Sequence, residues 1–179
     1  MKIIKNFNLI VSTSRLNESN AKTELWFSLL MCGDKYPIIS NLEYSGMISA
    51  FTILDVKQVI KKISNILKQD PNFFQYILKI IPIDFICEKN IQIISKFLKE
   101  HYRDYLKKDD TFKIELKRRK SDKIERSEFI EVMAENIDNK VNLDNPDVTI
   151  RFELLGNICG ISFLNSSDIL EIKNRYNQY

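Results

Sequence analysis

The residues best suited to chemistry form one basic run, residues 113–126. Its seven cations are Lys113, Lys117, Arg118, Arg119, Lys120, Lys123 and Arg126. Against three acidic residues they leave a charge of +4, more than the +3 of the whole chain. The run leads from a predicted strand into a predicted helix, so cations and backbone N–H groups could both meet a phosphate. A charge-protected edge strand or a solvated loop gives the same pattern, and these alternatives stay open.

A smaller candidate is the segment STSRLNE, residues 12–18, between the first predicted strand and helix. Its hydroxyl groups, Arg15 and Asn17 stand before a helix N-terminus. Arg15 is therefore a candidate for a second phosphate contact. An ordinary helix cap and turn is the competing interpretation.

The remaining reactive residue types do not form a catalytic pattern. The single histidine, His101, has no nucleophile or carboxylate partner that spacing suggests, and we expect it at a surface or boundary. Cys32, Cys87 and Cys159 lie far apart, which predicts buried small side chains rather than a disulfide framework or zinc site. Acidic pairs such as Asp109-Asp110 lie in predicted turns. We therefore predict no catalytic residues, no metal site and no cofactor.

Composition limits the class of protein. With 44% hydrophobic and 28% charged residues in 179, the chain predicts an ordinary globular protein of one domain or two small ones. Four glycines and no glycine-rich motif exclude the familiar phosphate-binding loops. The N-terminus is too short and charged for a signal peptide, and no apolar run could span a membrane. These features predict a reduced, cytoplasmic protein.

The first half predicts strands and helices in the order β-α-β-β-α-β over roughly residues 5–86. The predicted elements are a strand at 7–14, a helix at 20–33, a strand pair at 37–44 and 47–54, a helix that Asp55 caps and a strand at 78–87 with Pro82 as a bulge or edge. This order is that of the ferredoxin-like fold. Phe73, Phe74 and Tyr76 are candidates for exposed aromatic contacts with a protein partner.

The second half starts a new set of elements. Apolar spacing predicts a helix over about 89–107, and strict alternation predicts a half-buried strand at 111–119. Ser127 is the predicted cap of a helix to about Asp138. Two strands, VTIRFELLG and ICGISFL, follow a turn, and Asp168 with Glu171 could begin a short final helix. The fold class is α+β in two units.

The second half resembles the THUMP domain, an RNA-binding module of tRNA-modifying proteins. The resemblance extends over about residues 75–165 and is most specific at Val141 to Asp147, followed by Ile150, Phe152 and Glu153. Asn142 stands where the family more often has Asp. The ending Gly160-Ile161-Ser162 further resembles the stand-alone subgroup that acts as an adaptor in tRNA cytidine acetylation.

The resemblance implies a ferredoxin-like domain at 1–82 and a THUMP domain at 83–179. It implies binding to the acceptor stem and 3′ end of tRNA, with Lys117, Arg118, Arg119 and Arg126 as contacts. The expected protein is a non-catalytic adaptor, with no membrane contact, that presents tRNA to an enzyme in trans, a cytidine acetyltransferase. An enzyme with a cryptic site and a protein-interaction module are the rival hypotheses, and an RNA-binding subunit of a methylation or thiolation enzyme is a further alternative.

The basic residues are unevenly placed along the chain. Residues 1–82 hold ten basic and six acidic residues, whereas residues 83–179 hold seventeen and eighteen. The half that resembles the RNA-binding domain is thus not basic as a whole, and its positive charge lies in one strand and loop. This partition predicts that the first half also contributes to the RNA surface.

Overall fold

A computed structural model describes residues 7–119 and 124–172 of the chain. The chain divides into two compact units, the first formed by Met1–Ile83 with Ser167–Tyr179 and the second by Asp84–Ser166. The division differs from the expected 1–82 and 83–179 in that the C-terminal segment belongs to the first unit.

The first unit has the predicted β-α-β-β-α-β order. Its elements are β1 (Leu9–Thr13), α1 (Glu18–Cys32), β2 (Ile38–Asn41), β3 (Met47–Phe51), α2 (Val56–Gln69) and β4 (Ile77–Pro82). The strands lie in the order β2-β3-β1-β4 with every pair antiparallel. This order and polarity are those of the ferredoxin-like fold.

The helices of the first unit begin and end at recognisable residues. The Asp55 carboxylate accepts the N–H of Gln58 and caps α2, as predicted. Gly33 ends α1 in the left-handed conformation, with φ of 106°. Its N–H donates to the carbonyls of Leu29 and Leu30 in the last turn of the helix. The core between helices and sheet is built by Leu9, Leu25, Leu29, Ile48, Val59, Ile60, Ile63 and Ile80.

The predicted strand at 78–87 is wrong, because two strands in different sheets replace it. Ile83 donates its N–H to Asn8 in the first unit, and Asp84 donates its N–H to Ile161 in the second. The backbone therefore changes hydrogen-bond partners directly after Pro82, which ends β4.

The second unit is a four-stranded sheet with two helices. Its elements are β5 (Phe85–Glu88), α3 (Ile91–His101), β6 (Phe112–Lys117), α4 (Arg126–Ala134), β7 (Val148–Leu155) and β8 (Ile158–Leu164). The strand order is β5-β8-β7-β6, with β6 and β7 parallel and the other pairs antiparallel. Both helices are shorter than predicted, since α3 passes into a 3₁₀ turn at Tyr102–Asp104 and α4 ends at Ala134.

The expected final helix is instead a short strand, β9 (Leu170–Glu171). It pairs antiparallel with β4, and Leu170 is buried in the core of the first unit. Burial of this apolar side chain stabilises the pairing of the C-terminal segment with the first unit. No helix in the described ranges is long and apolar enough to cross a bilayer.

Candidate nucleic-acid interface

Strand β6 positions the first part of the basic run beside β7. Phe112 and Leu116 are buried in the core of the second unit, whereas Glu115 alternates with them. In the parallel register Glu115 lies beside Arg151, and Lys117 lies beside Glu153. The pairing therefore sets opposite charges next to each other on two neighbouring strands.

Five charged side chains, on β6, just after it and on β7, form an alternating ion-pair network. The Arg151 guanidinium is central, with Nη1 2.5 Å from Glu115 Oε2 and Nη2 2.6 Å from Glu153 Oε1. Lys117 Nζ lies 2.8 Å from Glu115 Oε1, and Arg119 Nη2 lies 3.7 Å from Glu153 Oε2. The charges of Lys117 and Arg119 are thus partly neutralised, which makes both residues weaker candidates for phosphate contacts.

The network lowers the pKa of the Glu115 carboxyl. Burial is the largest influence and raises this pKa. The hydrogen bond from Lys117 and the charge of Arg151 oppose it and together outweigh it. Glu115 is therefore held in its charged form by its partners.

Two arginines connect the ends of the basic loop, the segment between β6 and α4, through hydrogen bonds. Arg118 Nη1 donates to the Ile124 carbonyl at 2.8 Å, and Arg126 Nη1 donates to the Leu116 carbonyl at 3.3 Å. Each side chain thus reaches from one end of the loop to the opposite end. Both arginines are exposed.

The other predicted contacts fall in three places. Lys113 is half-buried on β6, and neither it nor Arg126 has a carboxylate partner among the residues that the structure describes. Lys120 and Lys123 lie outside the described residues. Arg15 lies in the first unit, exposed on the loop after β1.

The N-terminus of α4 is already occupied by an anion of the protein itself. Ser127 was the predicted cap, but Glu125 is the N-cap residue. Its carboxylate accepts the backbone N–H groups of Ser127 and Glu128 and the Ser127 hydroxyl. The expectation that these N–H groups are available to a phosphate is therefore wrong, because the carboxylate satisfies them.

The cap makes Glu125 an unusually strong acid. The Ser127 hydroxyl first, and then the Glu128 N–H, hold the pKa of Glu125 at about 2, below its ordinary 4.5. The stabilisation from the cap is fully present above about pH 4.5 and is lost as the pH falls through about 2. A carbon-13 NMR titration of the side-chain carboxyl should give a midpoint near pH 2.

Ser127→Ala is the matched variant for this pKa, since it removes the hydrogen bond from the Ser127 hydroxyl and keeps both backbone N–H donors. The midpoint should then move upward, toward 4.5. A midpoint already at 4.5 in the unaltered chain would contradict the cap.

The segment that carries the sequence resemblance shapes the start of β7. The Asn142 side chain accepts the Asn145 N–H and donates to its carbonyl. The Asp147 carboxylate accepts the N–H and hydroxyl of Thr111, each within 2.8 Å, and these bonds lower its pKa. Asn142, which departs from the family's usual Asp, thus keeps a turn-forming role. This motif holds β6 and β7 in register.

Sequence reasoning missed the roles of Arg151 and Glu153. Both are buried, with 4% and 2% of their surface exposed. The available signal was two opposite charges two residues apart inside the otherwise apolar strand VTIRFELL. In a strand this spacing places both side chains on one face.

The remaining candidates for chemistry have structural surroundings. His101 is half-buried against Phe97, with ring centres 4.6 Å apart, and its Nδ1 lies 3.6 Å from Asp104. Cys32 and Cys159 are buried and Cys87 is half-buried. Within 7–119 and 124–172, no group of three or more His, Cys, Asp or Glu side chains could hold a metal ion.

The aromatic residues proposed for protein contacts are mostly covered. Phe74 is buried, and Phe73 and Tyr76 are half-buried against the core of the first unit. The expectation that they are exposed is therefore wrong. The exposed apolar side chains of this unit include Trp26 and Phe27 on α1 instead.

The fold defines the chain as a two-unit α+β protein with a ferredoxin-like first unit. Residues 88–164 match the model of the THUMP domain family, so the second unit contains a THUMP domain. This match confirms the resemblance at the level of the domain. A search of curated proteins gives no match.

Solved structures with the same fold span both units. PH1313 from Pyrococcus horikoshii Ot3 is similar at a TM-score of 0.62 and 19% identity, over 93% of this chain and 55% of that one. TrmN from Thermus thermophilus gives 0.55 and 10%, over 87% and 44%. A 4-thiouridine synthetase in an RNA complex with bound ATP gives 0.55 and 14%, over 93% and 42%. The chain spans about half the length of these structures.

Proposed function

We propose that this protein is a non-catalytic, cytoplasmic tRNA-binding adaptor. It presents tRNA to a modification enzyme in trans, a cytidine acetyltransferase that forms N4-acetylcytidine. The observation that carries RNA binding is the strand, loop and helix of residues 112–134, whose basic run lies within the THUMP domain. The sequence resemblance to the stand-alone adaptor subgroup is what points to acetylation.

The loop base suits phosphate binding because its arginines are held in place before RNA arrives. Arg118 and Arg126 each keep one bond to a backbone carbonyl across the loop. Such a bond restricts the side chain but leaves its positive charge intact, since a carbonyl is neutral. Less side-chain entropy is then lost when a phosphate binds.

Recognition by these groups follows the shape and charge of RNA. Cations that neutralise phosphates release condensed counterions, so affinity falls steeply with salt. The deep major groove of A-form RNA hides base edges from side chains, so shape and single-stranded ends dominate recognition. This mechanism fits a protein that accepts several tRNA sequences.

The double variant Arg118→Ala/Arg126→Ala should weaken tRNA binding about 10- to 100-fold at low salt, and the slope of log affinity against log salt should fall by about 2. Removal of Lys117 and Arg119 together should have a smaller effect, because Glu115 and Glu153 already partner them. Fluorescence anisotropy of labelled tRNA across a salt series measures both quantities.

Lys99→Ala is the matched control, since Lys99 is an exposed cation on α3 of the same unit. It should leave affinity nearly unchanged. Equal losses in Lys99→Ala and in the arginine double variant would reduce binding to net charge and reject the loop as the interface.

Nucleoside analysis of tRNA from a deletion strain tests the adaptor role. Loss of N4-acetylcytidine alone is the expected result, and return of the wild-type chain but not of Arg118→Ala/Arg126→Ala should restore it. Normal acetylcytidine would reject the proposed reaction.

A role as RNA-binding subunit for methylation or thiolation is the second candidate. The fold similarity to a 4-thiouridine synthetase bound to RNA favours it. Loss of a thiolated or methylated nucleoside from the same deletion strain would support it over acetylation.

A further inference from the structure

Strand β2 forms an unprotected edge of the first sheet. It pairs with β3 on one side, and in the described part of the chain no strand pairs with its other side. Its sequence, Ile-Ile-Ser-Asn, contains no charge, although edge strands usually carry one to prevent association. Ile38 is 63% exposed and lies beside the exposed Phe51.

The free edge of β2 presents backbone groups in a defined pattern. Leu42 donates its N–H to the carbonyl of Met47, the first residue of β3, at 3.2 Å. Since direction alternates along an antiparallel strand, Ser40 and Ile38 also face β3. Ile39 and Asn41 therefore point their N–H and carbonyl groups outward, and Pro37, which lacks an N–H, adds a carbonyl.

A groove follows this edge on the helix side of the sheet. One face of α1 supplies Ser19, Lys22, Thr23 and Trp26, and the strand side supplies Pro37 and Ile39. Trp26 is 48% exposed there. An added strand would thus find backbone partners at the edge and apolar contacts beside them.

We propose that this edge pairs with the same edge of a second copy of the chain. A two-fold axis at Ile39 sets Ile39 against its counterpart, with two reciprocal hydrogen bonds between their backbones. The Asn41 N–H of each copy then meets the Pro37 carbonyl of the other, so four backbone bonds form. Pro37, which has no N–H, thus lies at a position where the pairing needs only its carbonyl as an acceptor.

Charge complementarity favours a second copy over an unrelated strand. Lys35 stands before β2 and Glu43 after it, so antiparallel pairing of two copies brings the basic end of each strand toward the acidic end of the other, twice by symmetry. Both side chains are exposed, and neither has an ion-pair partner among the described residues.

The competing two-fold arrangement, which also keeps both helix layers on the same side of the joined sheet, is centred on Ser40. It also gives four backbone bonds, through Ile39 and Asn41. Since it shifts the two copies by two residues relative to each other, it moves Lys35 of each copy away from Glu43 of the other and weakens this attraction. The chemistry of residues 35–43 therefore selects Ile39 as the centre.

Charge reversal with rescue tests the pairing. Sedimentation equilibrium of the full chain at low salt should show a dimer. Lys35→Glu and Glu43→Lys should each raise the dimer dissociation constant about tenfold, because two attractions become repulsions. The double variant should return the constant to within about threefold of wild type.

A backbone test separates edge pairing from general charge effects. Asn41→Pro removes an outward N–H that β3 does not use and should weaken the dimer about thirtyfold. Asn41→Ala keeps the N–H and is its matched control.

Three outcomes would overturn the proposal. One is a wild-type chain that stays monomeric at about 0.1 mM. Another is a dimer indifferent to both the charge reversals and Asn41→Pro. The third is a monomer in which Ile38→Lys instead alters RNA affinity, which would assign the edge to RNA.

Discussion

Glu153→Ala should destabilise the second unit by about 3 kcal/mol. The Glu153 carboxylate accepts both Nε and Nη2 of Arg151, at 2.9 and 2.6 Å, and both residues are buried. Removal of one partner of a buried pair leaves the other charge uncompensated, which costs about 3–5 kcal/mol. The lower end applies because Glu115 still contacts Arg151.

Urea unfolding with hydrogen exchange of the β7 amides measures this loss in the second unit. Glu100→Ala is the matched control, since it breaks the exposed Lys96–Glu100 pair, whose charged atoms are 4.0 Å apart. It should change the unfolding free energy by less than about 0.5 kcal/mol. Equal small effects in both variants would show that the buried network contributes little to stability.

Glu24→Ala should destabilise the first unit by about 2–3 kcal/mol. The Glu24 carboxylate on α1 accepts the N–H groups of three consecutive residues, Gln75, Tyr76 and Ile77, at 2.8 to 3.2 Å. A hydrogen bond to a charged group contributes about 1.5–3 kcal/mol, and the half-exposed position of Glu24 reduces the sum. Loss of the carboxylate should release the segment that leads into β4.

Trp26 makes this prediction easy to measure. It is the only tryptophan of the chain and lies two residues from Glu24 on the same helix. Its fluorescence during urea unfolding therefore reports on the first unit. Lys22→Ala is the control on the same helix and should shift the free energy by less than about 0.5 kcal/mol, and a Glu24→Ala shift equally small would contradict the proposed clamp.

Local pattern predicted the elements of the fold well. The apolar stripe from Val56 to Leu67, with Asp55 before it, predicted α2 to its final turn. Alternation of Phe112, Ile114 and Leu116 predicted β6. These elements are recognisable because burial of one face requires a periodic sequence.

Pattern failed where the deciding partner lies far along the chain. Leu170 and Glu171 form a strand only because β4 offers a free edge about ninety positions earlier, as the pairing of Lys79 with Glu171 shows. Likewise nothing local to residues 78–87 indicates that the backbone changes sheets after Pro82. Long-range pairing depends on topology, which local propensity does not contain.

The candidate site shows the same division. By itself the sequence determined that seven cations gather between a strand and a helix and that residues 141–153 resemble a THUMP domain. The tertiary structure decided which cations are neutralised, because the β6–β7 register sets Lys117 and Arg119 near Glu115 and Glu153. It also decided that Glu125 occupies the helix N-terminus. Charge is a property of the sequence, whereas its compensation depends on distances that only folding fixes.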